Sequence, residues 1–415
     1  MTPFARYASP YNAMAEAGRI DRTAARVEIH DLTLEGDGEE MAGVWITEAD
    51  KVDIARRLAD IGVPRLSVLG NSPRPTATDI RIAEKIVACD LPVLLGAFVK
   101  TREEIDIAAN IGLAGVTMLV GANDALLPPG EDGDTILDKA RTLTGHARKR
   151  GLHTCFMAMD ATRSRPEFLR ALLAAVEPDC DEITIADSLG VASPFGFRHL
   201  IELVATWTAL PVQVHCHNHS SMAVANALAA VAGGARVVHT TVNGVGELAG
   251  QVPLEEFVVA AGLHLDLDTG IETPALKALS DRVVAATGVP VAPQKPATGA
   301  RAFCIPETEE IQQVYWELSQ RGQMEEGLTY SPSLVGNRLY MSIGRRCNEF
   351  TVRYHLAENG LTADDAVIDA IAGAVREASA RQQGYYLMDE GAFITLVREG
   401  GFAVRPADAP RSGTA

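Results

Sequence analysis

The chain has 415 residues, 47% hydrophobic and 22% charged, enough for one large α/β barrel with an appendage and a sizeable core. A formal net charge of −17 argues against nonspecific binding to nucleic acid or anionic membranes, leaving small molecules as the expected partners. Six scattered cysteines with no CxxC pair point to free thiols in a reducing compartment, no apolar run approaches membrane-spanning length, and the expected location is cytoplasmic.

Residues 1–26 read as an N-terminal extension. Short apolar runs then alternate with helical patterns. The predicted strands are Val27–Asp31, Arg65–Leu69, Pro92–Val99, Gly115–Val120, His153–Met159, Glu182–Ala186, Pro211–His215 and Val237–Val242. The first helix opens on Thr47-Glu48-Ala49-Asp50, a capping-box pattern, carries Val52, Ala55, Leu58 and Ile61 on one face, and stops at Gly62. Eight such βα units within residues 27–264 predict a TIM barrel; a doubly wound sheet explains the strand count less well. The glycines of Gly244–Gly250 imitate a dinucleotide fingerprint, but they follow the last strand and the pattern is imperfect.

Chemistry in a barrel gathers at the C-terminal ends of the strands. The seventh ends in Val212-Gln213-Val214-His215-Cys216-His217-Asn218-His219. Strand alternation places the three histidines on one face, where they look like part of a metal site, and turns Cys216 to the other as a small buried residue. The remaining ends supply Asp31–Glu40, Lys100, Asn123-Asp124, Met159–Arg163, Asp187–Gly190 and Asn243. Carboxylates and imidazoles converging on one mouth suit a divalent cation with open positions.

Beyond residue 265 the pattern changes. Residues 265–299 form a linker containing a helix near Pro274–Gly288 and the Pro-rich run Val289–Pro296. Residues 300–402 form a small, mostly helical subdomain. Helices are expected near Thr308–Arg321 and from Leu361, and Gly384–Glu399 suits a helix or a strand. Residues 403–415 read as a disordered tail.

These motifs together resemble the DRE-TIM metallolyase (HMG-CoA-lyase-like) superfamily, above all its homocitrate synthase and 2-isopropylmalate synthase branch. His215-Cys216-His217-Asn218 with Ala223-Val224-Ala225-Asn226 resembles HxHND…AxAN. Thr241–Gly250 resembles TxNGIGERAGN, and Asp187-Ser188-Leu189-Gly190 with Pro194 resembles DTxG…P. Val289–Phe303 resembles the connector ahead of the family's communication subdomain, and the likeness spans residues 27–400. It implies a divalent metal (Mg, Mn or Zn class), an acyl-CoA co-substrate, Claisen-type condensation with a 2-oxo acid, and a homodimer.

The same comparison exposes departures. DTTLRDGEQ becomes Asp31-Leu32-Thr33-Leu34-Glu35-Gly36-Asp37-Gly38-Glu39-Glu40, one residue longer. Its arginine falls at Glu35 or Gly36, a loss or reversal of charge. Ser67 and Met159 replace glutamates, Gln251 replaces the metal asparagine, and His219 replaces the aspartate of HxHND. Cys304-Ile305-Pro306-Glu307 stands where the family has HxSGIH. The implied metal ligands are thus Asp37, His215, His217 and Gln251, with Asp31 as the alternative to Asp37. Glu35, Glu39, His219 and Ser188 are the catalytic candidates. Lys100, Arg163, Asp187, Ser188 and Asn243 are the substrate-binding ones. The leading expectation is an acyltransferase of altered substrate. The alternatives are a C–C lyase or repurposed barrel enzyme that does not use CoA, and a non-catalytic homologue.

Overall fold

A computed structural model describes residues 2–9, 26–70, 75–127, 130–384 and 386–407. Eight parallel strands close into a barrel in sequence order: β1 (Glu28–Asp31), β2 (Arg65–Leu69), β3 (Leu94–Val99), β4 (Gly115–Gly121), β5 (His153–Met159), β6 (Glu182–Asp187), β7 (Val212–Cys216) and β8 (Val237–Thr240). Closure is made by β1 against β8, in register from Glu28↔Val237 to Asp31↔Thr240. The strands are buried on both faces, which is why they read as near-continuous apolar runs.

The helices between them are α1 (Glu48–Asp60), α2 (Ala77–Val87), α3 (Arg102–Asn110), α4 (Gly133–Lys149), α5 (Pro166–Val176), α6 (Pro194–Val204) and α7 (Ala223–Ala232), with α8 (Leu254–Leu265) after β8. Their starts are written in the sequence. Thr47 accepts from Asp50 N, and Thr76 and Thr101 form complete capping boxes with Asp79 and Glu104. The buried face of α1 is Lys51, Ile54, Ala55 and Leu58, so Ile54 takes the place expected for Val52. Helix α9 (Leu276–Thr287) follows and stops at Gly288, whose φ of +70° suits glycine.

The chain divides into two compact units, the first reaching Ala292 and the second running from Gly299 onward with Pro293–Lys295. The second contains α10 (Glu309–Gln320), α11 (Glu349–Glu358), α12 (Asp365–Ala380) and α13 (Glu390–Glu399). Val352, Leu356, Ile368, Ile371, Val375, Phe393 and Val397 form its core. Two expectations change here. Helix α11 falls where no helix was expected, and the tail read as disordered from residue 403 includes Arg405–Pro406, paired antiparallel to Leu361–Thr362. Residues 408–415 lie outside the described residues. No helix among the described residues is long and apolar enough to cross a membrane.

Candidate active site

Strand β7 ends at Cys216, three residues before His219, where three alternating histidines would require it to reach. Its inward face is Gln213, His215 and then His217, all buried; His219 lies past the strand and is exposed. The His219 ring still stacks on His217, with centroids 5.9 Å apart at 30°. The Nε2 atoms of His215 and His217 face each other at 3.0 Å.

The loops around the strand fix this pair. Gly190 after β6 has φ +58°, and a Cβ there would stand 2.8 Å from the His217 carbonyl oxygen. Gly250 has φ +77°, a Cβ there would meet the Gly244 carbonyl oxygen, and its own carbonyl accepts from Asn218 N at 2.9 Å. Both loops need glycine to lie this close to the histidine backbone. The Asp187 carbonyl accepts from His217 N at 3.3 Å, and Gln251 forms an antiparallel bridge with His217.

Burial decides the electrostatics. It pushes the His215 imidazole down to about 4 and His239 well below the usual range, so both are neutral near pH 7. Burial pushes Asp31 up to about 7 against the hydrogen bonds from Thr33 and Thr240. It also raises the Cys216 thiol far above its ordinary value, which fits an inert residue on the outer face.

A cavity of about 270 Å³ opens over the pair, lined by His215, His217, Lys100, Ser188, Glu40 and Glu247, with Phe98, Leu119, Met157 and Met159 as its apolar wall. Glu247 Oε1 stands 3.8 Å from His217 Nε2. Glu35 and Glu39 line a neighbouring cavity of about 210 Å³ together with Trp45 and Lys51. There Glu39 is engaged at 2.5 Å by Lys51 and accepts from Ile46 N. Glu40 borders both cavities.

The other expected substrate contacts separate into two sets. Lys100 and Ser188 are on the histidine cavity, and Ser188 Oγ also accepts from Asp160 N at 2.9 Å. Asp187 is fully buried, and its carboxylate accepts from Thr162 Oγ1, Val191 N, Ala192 N and Asn226 Nδ2. Its work is to shape the loop. Arg163 chelates Asp160, and Asn243, at φ +63°, exchanges both amide groups with Ser280 on α9. Glu40 and Glu247 were inside quoted motifs without a role; their shared signal was a carboxylate next to a strand-end loop.

Among the described residues no group of three His, Cys, Asp or Glu side chains is arranged to hold a metal ion. The Asp37 side chain lies outside the described residues. What the chain offers is two converging imidazoles beside the backbone of Gln251, whose side chain is buried with neither amide atom hydrogen-bonded. A buried carboxamide without partners is costly unless a ligand satisfies it, so the donor set fits a divalent cation.

Comparison with known proteins settles the ancestry. The HMGL-like family model matches residues 26–283. The chain belongs to the HMGL-like family. Among relatives of this HMGL-like protein, the 2-isopropylmalate synthase of Sulfolobus acidocaldarius is 32% identical over 349 residues, covering 82% of this chain and 87% of that one. Homocitrate synthase AksA of Methanothermobacter thermautotrophicus is 30% identical over 394 residues, covering 92% and 95%. The HMG-CoA lyase structure from Bacillus subtilis has the same fold, with a TM-score of 0.58, 18% identity, and coverage of 64% of this chain and 95% of that one. This member of the HMGL-like family is an enzyme, with named synthases among its relatives.

Proposed function

We propose that the protein is a divalent-metal-dependent acyltransferase that condenses an acyl-CoA with a 2-oxo acid or a related carbonyl compound, after which water hydrolyses the product thioester and frees CoA as its thiol. The observation that carries this reading is the His215–His217 pair, Nε2 to Nε2 at 3.0 Å, on the floor of a mouth cavity in a chain 30–32% identical to named synthases of that kind. His215, His217 and Gln251 would hold the cation, with Asp37 or Asp31 as the carboxylate. When bound, it supplies Lewis-acid polarisation of the acceptor carbonyl.

The chain's own residues divide the remaining work. The Lys100 ammonium attracts the carboxylate of an oxo acid into the cavity, and the Ser188 hydroxyl orients it. Glu247 or Glu40 takes the proton from the acyl α-carbon, with His219, stacked on His217, as the other candidate base. Phe98, Leu119, Met157 and Met159 exclude water from the developing carbanion. Glu35, where relatives are expected to carry arginine, sets a negative wall in the adjoining cavity and selects an acceptor with a neutral or cationic group on that side.

Thiol release from acetyl-CoA in the presence of Mg2+, Mn2+ or Zn2+, across a panel of 2-oxo acids that includes neutral and amino-bearing side chains, tests this reading. Release that depends on one acid and on the metal is expected. Silence across the panel by a protein that holds metal overturns the transferase and leaves C–C cleavage, assayed on the corresponding hydroxy acids.

A further inference from the structure

Below the two histidines the barrel interior holds a continuous polar chain. Arg65 on β2 donates to Glu182 on β6 at 2.5 Å and to Glu28 on β1 at 2.8 Å. Gln213 Nε2 meets Glu182 Oε2 at 2.6 Å. Gln213 Oε1 meets His239 Nε2 at 2.7 Å and His30 Nδ1 at 3.5 Å. His239 Nδ1 meets His215 Nδ1 at 3.3 Å. Glu182, Gln213, His239 and His215 are all at most 5% exposed, so water does not complete these bonds.

The chemistry of each partner fixes the direction of every bond. The Glu182 carboxylate, held by Arg65, can only accept, so Gln213 turns its NH2 toward it and its carbonyl oxygen toward His239. An amide oxygen can only accept, so His239 carries its hydrogen on Nε2 and presents a lone pair at Nδ1. His215 must then carry its hydrogen on Nδ1 and donate it to His239. That leaves a lone pair on His215 Nε2, the atom facing His217 across 3.0 Å. Reversing the Gln213 amide would set its carbonyl oxygen against the Glu182 carboxylate, two acceptors with no hydrogen between them.

We infer that Glu182, Gln213 and His239 are positioning residues that transmit the carboxylate's acceptor character through the barrel and set the His215 tautomer, so that Nε2 is ready to ligate a divalent cation before one arrives. This rests on the reading of His215 and His217 as metal ligands. None of the three positioning residues lines the cavity.

Long-range 1H–15N correlation of the imidazoles in the metal-free full chain, labelled at histidine, reads the tautomers directly. His215 is expected with its hydrogen on Nδ1 and His239 with its hydrogen on Nε2; a hydrogen on His215 Nε2 overturns the inference. Mn2+ titration followed by the EPR signal of the free ion gives the second readout. Gln213→Met removes the acceptor at nearly constant volume and should release the His215 tautomer and weaken Mn2+ binding about 10–100-fold. The double change Glu182→Gln with Gln213→Glu keeps an acceptor facing His239 and should restore both signals. Unchanged tautomer and affinity in Gln213→Met overturn the inference, and should that variant not fold, the wild-type spectrum alone decides. A wild type with the expected tautomers that takes up no Mn2+, Mg2+ or Zn2+ sinks the metal reading and leaves the tautomer chain standing, so the two failures are distinguishable.

Discussion

Inside the barrel, His30, Ser67, Glu182, Gln213 and His239 are buried and bonded to one another. In the C-terminal unit the apolar side chains buried around α11, α12 and α13 include Val352, Leu356, Ile368, Ile371, Val375, Phe393 and Val397. An apolar core tolerates repacking, because any shape-compatible hydrocarbon restores most of the burial. A hydrogen-bonded column does not, since each member dictates the donor or acceptor state of the next. On the reading proposed above, the barrel uses interior space to set the His215 imidazole, and the second unit uses its apolar core for cohesion.

Changes at the histidine pair should break this contrast most completely. His215→Ala and His217→Ala are each expected to abolish stoichiometric metal uptake, measured by elemental analysis after dialysis against Zn2+ or Mn2+, while far-ultraviolet circular dichroism stays that of the wild type. Full occupancy in either variant would place the cation elsewhere. In the second unit, Phe393→Ala removes a fully buried ring and should destabilise that unit by ~3–5 kcal/mol. Urea unfolding measures the loss, and metal uptake by the same variant should be untouched. If uptake falls as well, the division between orienting and cohesive interiors is wrong.

A smaller change tests how the loops carry the pair. Gly190→Ala puts a side chain at φ +58° with its Cβ 2.8 Å from the His217 carbonyl oxygen. Left-handed backbone alone costs about 1–2 kcal/mol for a residue with a Cβ. The contact should also push His217 away from His215, so Mn2+ affinity is expected to fall further than thermal stability does. Equal affinity in the variant would mean that the loop after β6 does not position the ligand.

Most of the barrel was legible because β/α alternation and capping signals are local. All eight strands lie within a residue or two of their predicted bounds. The strand period also placed His215 and His217 together, yet it carried the pattern too far at His219 and passed over Gln213. The chain turns after Cys216 because the Gly250 carbonyl captures Asn218 N, a partner more than thirty residues away that no local period contains. Gln213 was hidden because a glutamine within an apolar run says nothing of the carboxylate on the neighbouring strand. Helix α11 was missed for the opposite reason. Thr351, Val352, Tyr354, His355 and Leu356 are all buried, so no one-sided apolar stripe marks it. Its capping box, Asn348 with Thr351, was the signal available.

The weakest expected effect concerns the one buried imidazole in that helix. His355 donates from Nε2 to the Met341 carbonyl at 2.9 Å. Burial holds its pKa below the ordinary 6.5, with the Met341 bond and the charge of Glu390 pulling the other way. Above pH about 6.5 the ring is neutral in both folded and unfolded chains, and its contribution is complete. Below that, the unfolded chain takes up a proton that the folded unit refuses, so stability falls with pH until the lowered folded value is reached. His355→Gln keeps an N–H donor without a titrating ring and should flatten this acid limb. The fluorescence of Trp316, which packs beside Met341 and Tyr354, would follow it in a background with Trp45 and Trp207 changed to Phe. An acid limb of unchanged slope would show that other groups govern the pH response of the second unit, and that its single buried histidine, unlike those of the barrel, has no consequence beyond packing.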